Sequence, residues 1–289
     1  MSRRRKLLFE NATGPVDIPM TNDFLFKMLL QENEQVLKAL ICSLLHRDPE
    51  SVTELTVINP IIPGRSVGAK EIILDVNVAF NHEARIDLEM QVVNQYNWTE
   101  RSLYYTCRNF TRLEQGDNFS RATPSIHIGL LDYTLFTDHP VFYSTYRLMD
   151  ETGYLYSDKF IIGVVDLTRI NLATDTDRRY NIDKWAQLFK SATWEDVKML
   201  ARQDVNIRQA AETMYRLSAE DAIREEARGR EDYYRCQRDV ELHMQELQNA
   251  LAESKEQISR KDAQLSQKDE QIARLEALVR DLQKNQITG

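Results

Sequence analysis

The sequence contains little cysteine and histidine, with three cysteines and five histidines scattered over 289 residues. Because Cys42, Cys107 and Cys236 form no C-x-x-C pair, neither a disulfide framework nor a zinc site is predicted. Unpaired cysteines are typical of a reducing compartment. Long apolar runs are absent too, both as a signal-peptide core and as a membrane span. We therefore expect a cytoplasmic protein without a membrane partner.

Positive charge is in deficit. The formal net charge is -8, so the overall field does not attract nucleic acid, and binding to a polyanion would need a local basic surface or bound metal ions. A basic segment lies at residues 3–6 of an N-terminal arm, residues 1–17, where it could add non-specific DNA affinity or remain solvated. With 42% apolar and 28% charged residues, we expect a globular domain and a polar extension.

Helical periodicity and capping residues place the first helices. Apolar residues at helical spacing predict one or two helices within residues 21–45, with Asn22 as the first N-cap and Asn33 as a point of restart. A further helix is predicted after the N-cap Thr99, ending at Gly116.

Apolar runs bounded by turn residues predict the strands. A short strand is expected at residues 55–58, and the segments SIHIGLLDY and KFIIGVVDL are typical of strands buried on both faces of a sheet. Residues 181–235 carry only helical patterns. The order predicts an α/β protein, a mixed sheet flanked by helices. We divide it into a core at 18–180, a helical extension at 181–236 and a coiled coil at 237–285.

The C-terminal segment repeats every seven residues. Its two seam positions are Met244, Leu251, Ile258, Leu265, Ile272 and Val279, and Val240, Leu247, Ser254, Lys261, Lys268, Leu275 and Leu282. This heptad pattern predicts a coiled coil and hence a homo-oligomer, although the polar residues weaken the middle of the seam. The alternative is a single solvated helix, which is marginally stable in water when it is this polar.

The segment ILDVNVAFNHEARIDLEMQ, residues 73–91, predicts a hairpin with one apolar and one polar face. The polar face carries Asp75, Asn77, Asp87, Glu89 and Gln91. If residues 81–83 form the loop, Phe80 faces Ala84, Asn77 faces Asp87 and Asp75 faces Glu89. Opposed carboxylates about 5 Å apart repel each other unless a cation lies between them.

Two interpretations of this face remain open. Hard oxygen ligands suit Mg²⁺ or Mn²⁺, which can activate water and orient a scissile phosphate. The other interpretation is an ordinary solvent-exposed face of a sheet.

The spacing D-x13-E-x-Q resembles the PD-(D/E)xK nuclease signature. It is accompanied, in order, by DFLFKMLL, RIDLEMQ, ERSLYYTCRNFTRLEQGDNF, PSIHIGLLDYTLF, YRLMDETG with SDKF, and LSAEDAIREEARGRED. This succession resembles the bacterial PD-(D/E)xK family transposases, also called Rpn recombination-promoting nucleases, over residues 18–235. The heptad segment lies outside the resemblance.

The resemblance implies a restriction-endonuclease-like core and Mg²⁺-dependent cleavage of DNA. Asp75 and Glu89 would be the metal carboxylates, with the Met90 carbonyl as a further ligand. Gln91 stands where the broader superfamily has lysine, and it can only hydrogen-bond a water or a phosphate. Asp23 matches the acid of the family motif D-x-x-F-K and could reach the metal through water; the alternative is a first-turn acid paired with Lys27.

Cationic residues near these acids are candidates for contacts with DNA. Arg101 and Arg108 lie on one face of the helix that follows the hairpin, and either could contact phosphates or be solvated. Lys27 could also face a phosphate.

The sequence favours a Mg²⁺-dependent DNA endonuclease with a role in recombination. Gln91 and the acidic net charge leave open a catalytically weak or inactive DNA-associated adaptor that acts through its coiled coil. A D-D-E triad and a helix-turn-helix are not recognised, so strand transfer is less favoured than hydrolysis.

Overall fold

The protein is described from a computed structural model, which covers residues 9–58, 76–81, 84–110 and 118–287, with side chains up to residue 277. The chain divides into two compact units, one ending at Tyr234 and the other beginning at Arg235. The boundaries expected from sequence at residues 17, 180 and 236 stay predictions. In the described ranges, every helix is too short or too polar to cross a membrane.

A mixed sheet lies at the centre of the first unit. Within the described residues its strands are β1 (Leu55–Val57), β2 (Val76–Phe80), β3 (Ala84–Gln91), β4 (Ser125–Leu131), β5 (Tyr143–Met149) and β6 (Leu155–Asp166). They lie in the order β1-β2-β3-β4-β6-β5. The neighbours β3, β4 and β6 run parallel, whereas β1, β2 and β5 pair antiparallel with their neighbours. Strand β4 is buried along its whole length, as central parallel strands usually are.

Helices flank this sheet. In chain order they are α1 (Asp23–Glu32), α2 (Glu34–Leu44), α3 (Trp98–Phe110), α4 (Asp175–Arg179), α5 (Ile182–Lys190), α6 (Trp194–Ala201), α7 (Val205–Ser218) and α8 (Asp221–Ile287). The apolar side chains of β2, β3 and β4 share one large core with α1, α2 and α5 to α7. Helix α3 contacts β3, β4 and β6. The predicted α/β, restriction-endonuclease-like architecture is confirmed.

The first two helices each begin after a predicted capping residue. The side chain of Asn22 accepts a hydrogen bond from the backbone N–H of Leu25, and that of Asn33 accepts one from Val36. Each cap satisfies an N–H that the first turn of a helix leaves without an intrahelical partner. The restart predicted at Asn33 is confirmed.

The hairpin has the predicted register. Phe80 is opposite Ala84, and Asn77 is opposite Asp87. Asp75 lies outside the described residues, so its pairing with Glu89 stays a prediction.

Two predictions near the sheet need correction. Helix α3 begins at Trp98, one residue before the expected N-cap, and the Thr99 hydroxyl donates to Glu100 at 2.8 Å. Gly116, its expected end, lies outside the described residues. The sequence also did not predict β5, which lies at the sheet edge and pairs with one neighbour. Its residues are either half-buried or exposed. An edge strand of this kind has no continuous apolar run to mark it.

Helix α8 runs without interruption through the heptad region. In the second unit, the described apolar seam residues are each more than half exposed: Val240, Met244, Leu247, Leu251, Ile258, Leu265, Ile272 and Leu275. The predicted helix is confirmed, while its assembly into a coiled coil stays a prediction.

Candidate active site

The polar face of the hairpin is buried beneath α3. Asp87 is 0% exposed, Glu89 and Gln91 are each 5% exposed, and Asn77 is 7% exposed. An amide of Asn77 donates to Asn109 of α3 at 3.1 Å. The interpretation of these residues as a solvent-exposed face is therefore wrong. Buried polar groups require specific partners, and those partners define the site.

The two carboxylate oxygens of Glu89 have different surroundings. One carboxylate oxygen, Oε1, forms an ion pair with Arg101 of α3, whose own side chain remains 32% exposed. The other, Oε2, lies 3.6 Å from Nε2 of His127 and accepts no hydrogen bond from any described residue. Burial raises the pKa of Glu89, and the negative charges of Asp87 and Asp23 add to this rise, while Arg101 and His127 oppose it. Glu89 thus keeps one buried oxygen available to a ligand.

His127 of β4 connects this carboxylate to Asp87. Its Nδ1 lies 2.9 Å from Oδ2 of Asp87, and the whole residue is buried. The ring stacks on Tyr105 at 6.1 Å with an interplanar angle of 6°, and Trp98 packs at 5.2 Å from it. A histidine fixed at one nitrogen by a carboxylate presents the other nitrogen in a defined direction. Here that direction is toward Glu89.

The close approach of Trp98 depends on a glycine in β4. A Cβ atom at Gly129 would lie 2.1 Å from the Trp98 ring, which is well inside van der Waals contact. Glycine is therefore required for the indole to lie against the strand. This packing sets the first turn of α3, and with it Arg101, against the sheet.

Gln91 lies at the end of β3, beside the segment that follows β4. Its Oε1 accepts a hydrogen bond from the Tyr133 hydroxyl at 2.8 Å. Its Nε2 is buried and finds no acceptor in the part of the chain that the structure describes. Burial raises the pKa of Tyr133, with a further contribution from Glu89, so the phenol keeps its proton at neutral pH.

Asp23, the first residue of α1, is held by α8. Nε of Arg230 donates to its carboxylate at 3.1 Å, and Nη2 of the same guanidinium and the Tyr234 hydroxyl bind its other oxygen. The neighbouring Asn22 amide donates to the Ala227 carbonyl at 2.9 Å. Asp23 lies close enough to Glu89 to raise the pKa of that carboxyl. The first turn of α1 is therefore joined to the start of α8 near the polar face.

The other residues predicted to bind metal or DNA differ in their exposure to solvent. The side chain of Met90 is buried in the core, and Lys27 is only 1% exposed, which argues against its direct contact with a phosphate. Arg108 lies exposed on α3. Asp75 lies outside the described residues. Within those residues, no group of three or more His, Cys, Asp or Glu side chains is arranged to hold a metal ion.

The sequence did not indicate four residues of this site: His127, Tyr133, Arg230 and Tyr234. His127 could have been recognised from sequence, because it is the one ionisable side chain within the apolar run SIHIGLL. Tyr133 comes two residues after β4 ends, where functional side chains of parallel sheets commonly lie. No local sequence pattern could have indicated Arg230 and Tyr234, because they contact Asp23 across more than 200 residues of sequence.

Comparison with known proteins identifies the family. Neither the curated proteins nor the solved structures include a match to the chain. The family model described as PD-(D/E)XK nuclease family transposase matches residues 20–244, which is more than half of the chain and includes Asp23, Glu89, Gln91 and Arg230. The chain therefore belongs to the PD-(D/E)XK nuclease family transposases.

Proposed function

We propose that this protein is a Mg²⁺-dependent DNA endonuclease that hydrolyses phosphodiester bonds, with Mn²⁺ able to replace Mg²⁺. The observation that carries the proposal is the burial of Glu89 with one oxygen that no described residue hydrogen-bonds. A buried carboxylate is destabilising unless its charge is compensated, and Arg101 compensates only one side of it. Family membership supplies the reaction class, a nuclease.

The donor set fits a hard divalent cation. Asp75 and Glu89 would hold the ion through carboxylate oxygens, with the Met90 backbone carbonyl as a third oxygen ligand. Oxygen ligands of this kind are the ones that Mg²⁺ and Mn²⁺ prefer. When bound, the ion supplies activation of a water molecule and neutralisation of charge on the scissile phosphate. Asp23, close to Glu89, would act through a bound water.

The protein side chains contribute orientation and charge. The amide of Gln91 can hydrogen-bond the attacking water or a phosphate oxygen, but it cannot move a proton. The guanidinium of Arg101 pairs with Glu89 in this structure and is partly exposed, so it can turn to a phosphate when a cation neutralises Glu89. Arg108, exposed on the same helix, would bind the DNA backbone further along.

The heptad face of α8 supports assembly of several copies. The apolar seam residues that the structure describes in the second unit are exposed, and a second copy of the chain would bury them. Two nuclease units held in one assembly could cut both strands of a duplex, which is one route by which hydrolysis promotes recombination. We place the reaction in the cytoplasm, as the free thiols of Cys42, Cys107 and Cys236 favour.

A second candidate function is a catalytically silent DNA-associated adaptor. Glu89 is paired with Arg101 and Asp23 is paired with Arg230, so each acid already has a protein cation as its partner. Gln91 also provides no positive charge to the site.

Plasmid cleavage distinguishes the two functions. The intact protein is incubated with supercoiled plasmid and Mg²⁺ or Mn²⁺, and compared with Asp75→Ala and Glu89→Ala variants whose folding is verified by circular dichroism. The nuclease proposal predicts metal-dependent nicking that both substitutions abolish. Equal activity of the Glu89→Ala variant would refute the site, and absence of cleavage by the intact protein would favour the adaptor.

A further inference from the structure

Among the described residues, the side-chain amide of Gln91 has a hydrogen-bond partner for its oxygen but none for its nitrogen. Its Oε1 accepts a hydrogen bond from Tyr133 at 2.8 Å, while its Nε2 finds no acceptor among the described residues although Gln91 is only 5% exposed. A buried donor without an acceptor destabilises the protein. The unmet donor is therefore a place where an oxygen atom of a ligand would bind favourably.

The neighbouring charges determine which end of the amide faces the site. A tyrosine hydroxyl can donate or accept, so either orientation of the amide could satisfy Tyr133 alone. Glu89 lies two residues before Gln91 in β3 and hence on the same face of the strand. Asp87 lies on this face as well, and its carboxylate acts on Glu89. The negative charge of these acids favours the NH₂ group on their side and the carbonyl oxygen on the side of Tyr133.

Tyr133 is itself held firmly. It packs against the small apolar cluster formed by Trp98, Leu131 and Val164. One residue before it, the backbone N–H of Asp132 donates to the backbone carbonyl of Gln91 at 2.8 Å. The hydroxyl therefore reaches Gln91 from a segment that is tied to the same strand end.

We infer that Tyr133 is a positioning residue, whose hydroxyl holds the Gln91 amide in place while the neighbouring acids orient its NH₂ group, and not its carbonyl oxygen, toward the water or phosphate at the site. This inference rests on the proposed nuclease function for the identity of the ligand. In this orientation Gln91 can donate a hydrogen bond, as the lysine found at this position in the broader superfamily does, although it lacks the positive charge of lysine. Loss of the Tyr133 hydroxyl releases the carbonyl end of the amide, so the NH₂ group is no longer held in a fixed direction toward the ligand.

The test is a double-mutant cycle in DNA cleavage with Tyr133→Phe, Gln91→Leu and the double variant. Gln91→Leu is expected to lower kcat by about 100-fold, the usual effect of removing one donor to a developing negative charge. Tyr133→Phe is expected to lower kcat by about 10-fold with KM unchanged, and to have no further effect in the Gln91→Leu background. Tyr143→Phe is the matched control, because it removes a hydroxyl of a partly buried tyrosine that donates to the Leu44 carbonyl, and it should leave kcat unchanged.

Two results would overturn the inference: a kcat of Tyr133→Phe within about twofold of the intact protein, or a full additional loss in the Gln91→Leu background. Urea unfolding of the same variants separates this inference from the proposed function. Direct hydrogen bonding predicts that the effects of the two substitutions on the unfolding equilibrium constant differ from additivity by about fivefold. If the intact protein does not cleave DNA but this coupling is found, the proposed function fails and the positioning of Gln91 by Tyr133 is supported. Additive effects on unfolding would contradict it.

Discussion

Arg101→Met tests whether a protein cation stands in for a metal at Glu89. Arg101 forms an ion pair with Glu89, whose side chain is 7% exposed, and methionine keeps much of the apolar stem while removing the charge. The substitution leaves a buried carboxylate without its main compensating charge. We expect the folded protein to lose stability, and to lose less of it when a divalent ion binds the same carboxylate.

The magnitude follows from the burial of the two partners. Removing one member of a fully buried ion pair costs about 3–5 kcal/mol, whereas exposed pairs contribute less than about 1 kcal/mol. Because Arg101 is 32% exposed and Glu89 is buried, we expect a loss of about 2 kcal/mol in the free energy of unfolding at neutral pH without metal.

The pH dependence has a defined sign. Burial raises the folded-state pKa of Glu89 above its unfolded value, so its contribution to stability is most favourable below the unfolded pKa and is lost as the pH rises through the folded pKa. Arg101 opposes this rise, and removing it moves the folded pKa higher still. The difference between Arg101→Met and the intact protein should therefore be small in acid and grow toward neutral pH.

Urea unfolding with and without Mg²⁺ measures the effect. Mg²⁺ should close more than half of the gap between Arg101→Met and the intact protein, because an ion that binds only the folded state stabilises it. Arg108→Met is the matched control on the exposed side of α3, and Mg²⁺ should not change its stability relative to the intact protein. A stability deficit of Arg101→Met that is the same with and without Mg²⁺, or that shrinks with rising pH, would show that Arg101 does not occupy the place of a metal ion at Glu89.

Two further predictions concern α8. Arg230→Gln removes the guanidinium from the buried carboxylate of Asp23 and should lower the free energy of unfolding by about 2 kcal/mol, whereas Arg224→Gln, at an exposed pair with Asp221, should have little effect in the same urea titration. Equal effects of the two substitutions would contradict the tie between α1 and α8. A chain ending at Asp239 lacks most of the heptads and should sediment as a monomer, whereas the intact chain should sediment as an oligomer; unchanged mass would count against assembly through the tail.

Local patterns predicted the parts of the fold that local forces determine. The registers of β2 and β3 and the caps Asn22 and Asn33 follow from side-chain alternation and from the first-turn N–H groups, which are visible in a short stretch of sequence. The edge strand β5 was missed because its residues are largely exposed and its pairing with β6 is irregular.

The site was less predictable, because long-range packing determines it. The sequence left Arg101 either in contact with a phosphate or solvated, and the structure pairs it with Glu89. The burial of Asp87 and Glu89 depends on α3 covering the hairpin. The partners of Asp23 come from the start of α8, more than 200 residues away in sequence. Alternation identified the polar face, but it could not tell a solvated face from one that a helix covers.

Anomalous scattering from crystals soaked in Mn²⁺ shows whether a divalent ion binds between Asp75 and Glu89. We expect a peak with carboxylate oxygens of both residues at about 2.0–2.3 Å, typical of such ions, and with Arg101 turned away from Glu89. Crystals with no peak at this position, in which Glu89 still pairs with Arg101 at high Mn²⁺, would contradict this expectation.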